Sequence, residues 1–107
     1  MLEKQIESHG RIYAKQHNQT EYKFNSMNRT AVPDRLKLAP IPEEHRVIVA
    51  RYIRFVEYKQ TGKKPTAAQA REHKRLRDLG FTVEVVDSVE GAKWVTHEMS
   101  TSIFMPC

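Results

Sequence analysis

Two carboxylates and one lysine are the strongest candidates for catalytic chemistry in this sequence of 107 residues. Asp34 opens an alternating segment, DRLKLA, while Glu57 and Lys59 lie one residue apart near the end of a longer extended segment. Side chains two apart in a strand point the same way, so Glu57 and Lys59 share a face. If the two segments pair as a hairpin, Asp34 can lie beside Glu57. Two convergent carboxylates suit a divalent cation such as Mg²⁺, and a nearby lysine can orient or deprotonate water and offset phosphate charge.

The same residue types also have a simpler interpretation. A cross-strand pair of opposite charges at an exposed strand end is a commoner reason for such residues, and it carries out no reaction. The spacing of Glu57 and Lys59 therefore fits both a structural charge pair and a metal-dependent hydrolytic site. The choice between them depends on the elements around the two residues.

The pattern of apolar, capping and turn residues predicts the elements that position these groups. Apolar residues at helical spacing predict a first helix, and alternation predicts the strands. The expected order is a helix over 2–17, strands over 20–25, 34–39 and 46–59, a helix over 66–80, a strand over 81–86 and a weaker helix over 89–99. Residues 25–33 and 60–65 are expected to be a loop and a turn.

The helix over 66–80 has the most distinct end signals. Thr66 is a plausible N-cap, Gln69 stands where a capping box places Glu or Gln, and Gly80 is the expected stop. A buried stripe is expected over Ala70, His73, Leu76 and Leu79. Gln69 fits a pure capping role as well as a role in a site, and both roles are compatible.

This order predicts an α/β fold, with one mixed β-sheet and flanking helices in the sequence α-β-β-β-α-β. The length suits a single domain over 1–107, with a core from about 3 to 98 and an irregular tail over 99–107. Fold class alone does not name a function.

Charge and cysteine content narrow the function classes. Lysine and arginine number 18 against 13 acidic residues, giving a formal charge of +5 and a pI near 9.5. Such a balance fits a nucleic-acid partner, although a protein can be this basic without one. No apolar run approaches the ~18 residues of a membrane span, and the first residues lack the apolar stretch of a signal peptide. With Cys107 as the single cysteine, no internal disulfide can form, which favours the cytoplasm.

The motifs in their order resemble a known family. The segments VPDRLKL, FVEYK, TAAQAREHKRLRDLGF and VEVVDS resemble the VRR-NUC family of the PD-(D/E)XK nuclease superfamily, most closely its small stand-alone phage and prophage members. The resemblance extends from about Glu3 to about Glu90. The bare acidic-lysine pattern is unspecific, whereas its combination with the glutamine-bearing helix and the following strand is more specific.

The resemblance implies roles for individual residues. Asp34 and Glu57 would be the metal-binding carboxylates, and the backbone carbonyl of Tyr58 a further metal ligand. Lys59 would be the catalytic lysine, and Gln69 the helix glutamine that supports the site. The superfamily often adds a glutamate from the first helix, for which the candidates in this sequence are Glu7 and, one turn earlier, Glu3.

The chain also departs from the family pattern. Ala31 and Val32 precede Pro33 where relatives often carry glycine, and the stretch between the two carboxylates is longer than in compact relatives. Tyr58 replaces a commoner small aliphatic residue. These departures concern loop geometry and substrate fit, since every charged group of the pattern is present.

The resulting hypothesis is a restriction-endonuclease-like enzyme that hydrolyses DNA phosphodiester bonds with Mg²⁺, or with Mn²⁺ in its place. Its phosphate-binding candidates are Arg35, Lys63, Lys64, Arg71, Lys74 and Arg75. The stand-alone relatives are associated with homodimers and with four-way DNA junctions, which implies both for this chain. The alternatives are a non-catalytic nucleic-acid-binding module of the same fold and a small scaffold protein that binds another protein.

Overall fold

A computed structural model describes residues 1–25, 31 and 33–101, with the side chain of Thr101 left out. Its helices and strands together give the α/β class that the sequence predicts. In chain order these are α1 (Glu3–Gln16), β1 (Thr20–Lys23), β2 (Arg35–Leu38), a 3-10 turn (Glu43–His45), α2 (Arg46–Val49), β3 (Phe55–Tyr58), α3 (Ala67–Leu79), β4 (Val83–Val86) and α4 (Val89–Thr101). The chain divides into two compact units, residues 1–40 and 41–107. The single domain expected over 1–107 stays a prediction.

The first unit consists of α1 and an antiparallel hairpin. β1 pairs with β2 from Thr20 opposite Leu38 to Lys23 opposite Arg35, and α1 packs against β1. The hairpin continues one step further, because the Phe24 N–H donates to the carbonyl of Asp34 at 3.0 Å. Asp34 is therefore held by its backbone at the start of β2, as the alternating segment predicts.

The second unit is built around a parallel strand pair. β3 and β4 run side by side from Phe55 opposite Val83 to Tyr58 opposite Val86, and α3 forms the crossover between them. Parallel strands need such a connection, and a helix is its usual form. The buried apolar side chains of this unit come from α3, β4, α4 and the segments beside them: Ile41, Leu76, Leu79, Phe81, Val83, Val86 and Val95.

The ends of α3 confirm the capping prediction. Thr66 Oγ1 accepts from the Gln69 N–H at 3.1 Å, and Gln69 Oε1 accepts from the Thr66 N–H at 3.0 Å. Gly80 ends the helix with φ of 107°, a conformation that favours glycine because it has no Cβ. Of the expected buried stripe, His73, Leu76 and Leu79 are buried, whereas Ala70 is exposed.

The prediction of one mixed sheet is wrong. The described strands form two two-stranded sheets, in which β2 pairs with β1 and β3 pairs with β4. The expected hairpin between the strands of Asp34 and Glu57 is therefore not one of the strand pairs. The element order also gains α2 relative to α-β-β-β-α-β, and the helix predicted over 89–99 follows β4 as α4.

The long strand predicted over 46–59 is wrong in its first half. The structure has the 3-10 turn and α2 over 43–49, and only Phe55–Tyr58 is a strand. The residues before this segment favour a helical start, because Glu43 and Glu44 follow Pro42 and place negative charge in the 3-10 turn that precedes α2. Helical hydrogen bonds, such as Ala50 N–H to the Arg46 carbonyl at 3.1 Å, prevail over the β preference of the valine-rich segment.

The last helix is longer than predicted. α4 extends to Thr101, so the irregular tail expected from residue 99 is wrong for 99–101, and residues 102–107, including Cys107, lie outside the described part. None of the helices in the described ranges combines the length and the apolar character needed to cross a bilayer.

Candidate active site

Glu57 lies at the centre of the candidate site in the second unit. It belongs to β3, and its half-buried carboxylate is directed toward α3. Each of its two oxygens has its own partner on that helix. Gln69 Nε2 donates to Oε2 at 3.4 Å, and His73 Nε2 lies 3.3 Å from Oε1. The strand supplies the carboxylate and the helix fixes its orientation.

Gln69 combines the capping contact with a hydrogen bond to Glu57. Its carbonyl oxygen closes the capping box with Thr66, while its amide nitrogen donates to Glu57. The start of α3 is thereby tied to the carboxylate of β3. A glutamine is suited to this position because its side chain carries one acceptor and two donors.

His73 is the site residue that sequence reasoning missed. The sequence places it on the apolar face of α3, and its burial agrees with that interpretation. Yet the ring nitrogen of this buried side chain faces the Glu57 carboxylate. The available signal was the spacing of Gln69 and His73, since residues four apart in a helix lie on the same face.

Lys59 directly follows β3. Its backbone N–H donates to the Val86 carbonyl at 2.8 Å, which continues the parallel ladder beyond Tyr58. Within its own unit, the Lys59 ammonium has no hydrogen bond or ion pair with a described side chain. The lysine is thus held by its backbone and keeps its charged end available.

The backbone of Tyr58 faces away from β4. The Phe55 N–H donates to the carbonyl of Thr82, just before β4, and the Lys59 N–H donates to the carbonyl of Val86 in β4, so the odd-numbered positions make the ladder hydrogen bonds. In a parallel pair the alternate residues direct their backbone groups to the opposite edge, and Tyr58 is one of them. Its carbonyl is therefore directed to the side of β3 that β4 does not use, and the Tyr58 side chain is exposed.

The turn after Lys59 is anchored to the end of β4 by Asp87. Thr61 Oγ1 donates to the Asp87 carbonyl at 2.9 Å, and Asp87 Oδ2 accepts from the Gly62 N–H at 3.1 Å. Gly62 has φ of 84°, which glycine adopts at little cost. This turn carries Lys63 and Lys64, both exposed.

The phosphate-binding candidates of the second unit differ in how they are engaged. Lys63, Lys64 and Arg71 are exposed and have no ion pair with any acidic side chain in the described ranges. Lys74 donates to Asp78 at 2.8 Å, and this hydrogen bond raises the pKa of the Lys74 ammonium. Arg75 Nε lies 3.9 Å from Glu72. The three unpaired cations are the freest to meet a phosphate.

The candidates in the first unit are Arg35 for phosphate binding and the two glutamates of α1, Glu7 and Glu3. Arg35 donates to Glu7 Oε1 at 3.0 Å, and its Nε lies 3.8 Å from Glu21 Oε1. The hydrogen bond lowers the pKa of the Glu7 carboxyl and, with the charges of Glu7, Glu21 and Asp34, raises the pKa of Arg35. Glu3 is exposed. Glu7 is therefore the glutamate of α1 that contacts the base of β2, and Arg35 is engaged by carboxylates.

The donor chemistry fits a divalent cation of the Mg²⁺ type. Asp34 is exposed and Glu57 is partly exposed, and the Tyr58 carbonyl is directed away from its own sheet. Oxygen donors of this kind suit Mg²⁺, which typically takes one or two carboxylates and keeps several waters. Among the described residues, no group of three or more His, Cys, Asp or Glu side chains is placed to hold a metal.

Comparison with known proteins gives one relevant relative. No family model matches the chain, and no solved structure matches it significantly. The chain is 48% identical over 67 residues to a protein of Acyrthosiphon pisum secondary endosymbiont phage 1 that is named "Putative nuclease p44". The match covers 63% of this chain and 62% of that phage protein. The chain is therefore similar to a phage protein named as a nuclease, over somewhat less than two thirds of that protein's length.

Proposed function

We propose that this protein is a metal-dependent endonuclease that hydrolyses phosphodiester bonds in DNA. The observation that carries the proposal is the arrangement at Glu57, whose carboxylate is held by Gln69 and His73, while the Lys59 ammonium that follows it has no ion pair with a described residue of its unit. A structural cross-strand charge pair would join Glu57 to a cation of a neighbouring strand, whereas its hydrogen-bond partners among the described residues are Gln69 and His73 of α3. The phage relative named as a nuclease supports the same function.

The proposed roles follow the chemistry of each group. Asp34 and Glu57 would hold Mg²⁺, with the Tyr58 carbonyl as a further ligand. A bound divalent ion supplies Lewis-acid polarisation of the scissile phosphate and lowers the pKa of a bound water. Lys59 would orient the attacking water or stabilise the negative charge that develops on phosphate. Gln69 orients Glu57, and Glu7 would hold Arg35 beside Asp34.

Removal of the divalent ion should abolish cleavage. Freshly purified protein treated with EDTA should lose its nicking of supercoiled plasmid DNA, and added Mg²⁺ or Mn²⁺ should restore it. Ca²⁺ at the same concentration serves as the matched control for ionic strength and charge. Cleavage that persists in EDTA contradicts the metal-dependent mechanism. Salt-sensitive DNA binding without metal-dependent nicking would identify a binding module, and the absence of both would identify a protein-binding scaffold.

The exposed cations near the site are proposed to bind the DNA backbone. Each phosphate contact contributes about 0.9 to the slope of log affinity against log salt. Arg71→Ala should therefore weaken duplex binding and lower the slope by about one unit. Lys74→Ala should have the same effect, reduced by the competition of Asp78 for this lysine. Fluorescence anisotropy over a salt series in Ca²⁺ measures both, and a wild-type slope removes the residue from the DNA surface.

The proposal has three further parts. The protein would belong to the VRR-NUC family, form a homodimer and prefer branched DNA. They are supported by the motif order and by the exposure of Ile12, Tyr13 and Trp94, which are apolar side chains that a dimer interface could use. A two-fold dimer presents two equivalent sites, which suits paired incisions across a symmetric junction.

Assembly and substrate preference are measured separately. Light scattering at micromolar concentration should give twice the mass of the chain, and a four-way junction should be cut faster than a linear duplex with the same arm sequences. A monomeric mass contradicts the dimer. Equal cutting of the two substrates contradicts junction preference and leaves a general DNA nuclease.

A further inference from the structure

His73 combines burial with a polar contact that packing alone does not require. Only 7% of its surface is exposed, and it is the one buried polar or charged residue among those the structure describes. It lies on the face of α3 that also carries the buried Leu76. An apolar side chain would fill this position without the cost of burying a polar ring.

The direction of the hydrogen bond is set by the chemistry of the two groups. An ionised carboxylate only accepts, so His73 Nε2 must carry the hydrogen and donate to Glu57 Oε1 across 3.3 Å. Gln69 Nε2 donates to the other oxygen. The two donors come from the same face of one helix, four residues apart, and each holds one oxygen of the same carboxylate.

This arrangement restricts rotation of the Glu57 carboxylate. With one donor the group can still turn about its terminal bond, whereas two donors on separate oxygens define its plane. Each oxygen has about two lone-pair directions, so one on each oxygen stays free for another ligand. Side chains that orient a metal-binding carboxylate in this way commonly affect metal affinity by about 10- to 100-fold.

We propose that His73 is a positioning residue that, together with Gln69, fixes the plane of the Glu57 carboxylate for its ligand. The inference rests on the proposed function, because it takes Glu57 as a site residue. It does not require His73 to contact substrate or to exchange a proton. It predicts that loss of the ring weakens binding of the ion at Glu57 more than it slows the reaction once the ion is bound.

The hydrogen bond can be tested first in the metal-free protein. Nitrogen-15 NMR of the His73 ring should show the tautomer protonated at Nε2, and Glu57→Gln should change the Nε2 chemical shift. A ring protonated only at Nδ1 overturns the proposal, because that tautomer cannot donate to Glu57. This readout is independent of nuclease activity.

The positioning role is tested by metal affinity. Mn²⁺ binding, measured by electron paramagnetic resonance, should weaken about 10-fold or more in His73→Leu, with partial recovery in His73→Gln, whose amide can donate. In cleavage assays the Mn²⁺ concentration for half-maximal rate should rise by a similar factor, while the rate at saturating Mn²⁺ stays within about threefold of wild type.

Leu76→Ala is the matched control, since it removes a buried side chain of the same helix that has no group able to donate a hydrogen bond to Glu57. It should lower the melting temperature and leave Mn²⁺ affinity of the folded protein unchanged. Wild-type affinity in folded His73→Leu overturns the inference and leaves the proposed function intact. A wild-type protein that neither binds Mn²⁺ nor cuts DNA overturns the proposed function itself. If His73→Leu fails to fold, the Mn²⁺ affinity of His73→Gln and the tautomer of the wild-type His73 ring test the inference instead.

Discussion

Asp34→Asn and Glu57→Gln should each lower DNA cleavage by about 100-fold or more while the protein stays folded. Both changes keep the shape of the side chain and remove the negative charge on which binding of a divalent ion depends. Asp34 is exposed, so its substitution should leave folding stability near wild type. Plasmid nicking at fixed Mg²⁺ gives the rate, and circular dichroism with thermal unfolding reports the fold.

Glu57→Gln carries an additional structural cost. Gln69 and His73 both direct donors at the carboxylate, and an amide has only one acceptor oxygen. One donor then faces the new NH₂ group, which should cost about 1 to 3 kcal/mol of stability. Thermal unfolding of this variant therefore also tests the contacts around Glu57.

Glu43→Gln is the control, because it removes one negative charge from an exposed position outside the site. It should cut DNA at close to the wild-type rate. If Asp34→Asn cuts as fast as Glu43→Gln, Asp34 is not a metal ligand. If Glu57→Gln stays folded and retains the wild-type rate, the centre of the candidate site is misassigned.

The sequence predicts helix ends better than strand partners. The limits of α3 depend on local groups, namely the capping box of Thr66 and Gln69 and the positive φ of Gly80, and all are confirmed. The segment over 46–49 shows the limit of local preference. Its valines and isoleucine favour a strand, yet the acidic turn before it and its backbone hydrogen bonds make a helix.

Strand pairing is not a local property, and here the prediction is wrong. The sequence predicts a hairpin between the strands of Asp34 and Glu57 because neighbouring strands in the chain usually pair. Shortening of the third strand to Phe55–Tyr58 leaves a helix and a turn between it and β2, and β3 pairs in parallel with β4 through α3. Length, charge and alternation do not distinguish these two pairings.

The sequence indicates a candidate site residue when its side chain is unusual for its place in a helix or strand. Glu57, Lys59 and Gln69 stand out because charged and amide groups are conspicuous on a strand and at a helix start. His73 was missed since a histidine in an apolar stripe is usually interpreted as packing, and only the structure shows its ring against a carboxylate. The sequence predicts Arg35 as a phosphate ligand, and the structure adds its contacts with Glu7 and Glu21.

Lys59→Ala should lower turnover by about 100-fold or more and leave metal binding within about twofold of wild type. The backbone of Lys59 is fixed by its hydrogen bond to Val86, and its side chain has no described partner within its unit. Its removal should therefore leave Glu57 and its partners on α3 in place. Single-turnover cleavage at saturating Mg²⁺ measures the rate, and Mn²⁺ titration measures the affinity.

Lys59→Arg separates the two roles open to the lysine. Arginine keeps the positive charge but does not give up a proton at ordinary pH. A rate within about tenfold of wild type would assign Lys59 to charge stabilisation, whereas a rate as low as that of Lys59→Ala would assign it to handling of the attacking water. Lys63→Ala, in the exposed turn anchored by Asp87, is the control for simple loss of a nearby charge and should weaken DNA binding with turnover preserved. If Lys59→Ala turns over as fast as Lys63→Ala, the lysine acts only in DNA binding and the proposed catalytic role is wrong.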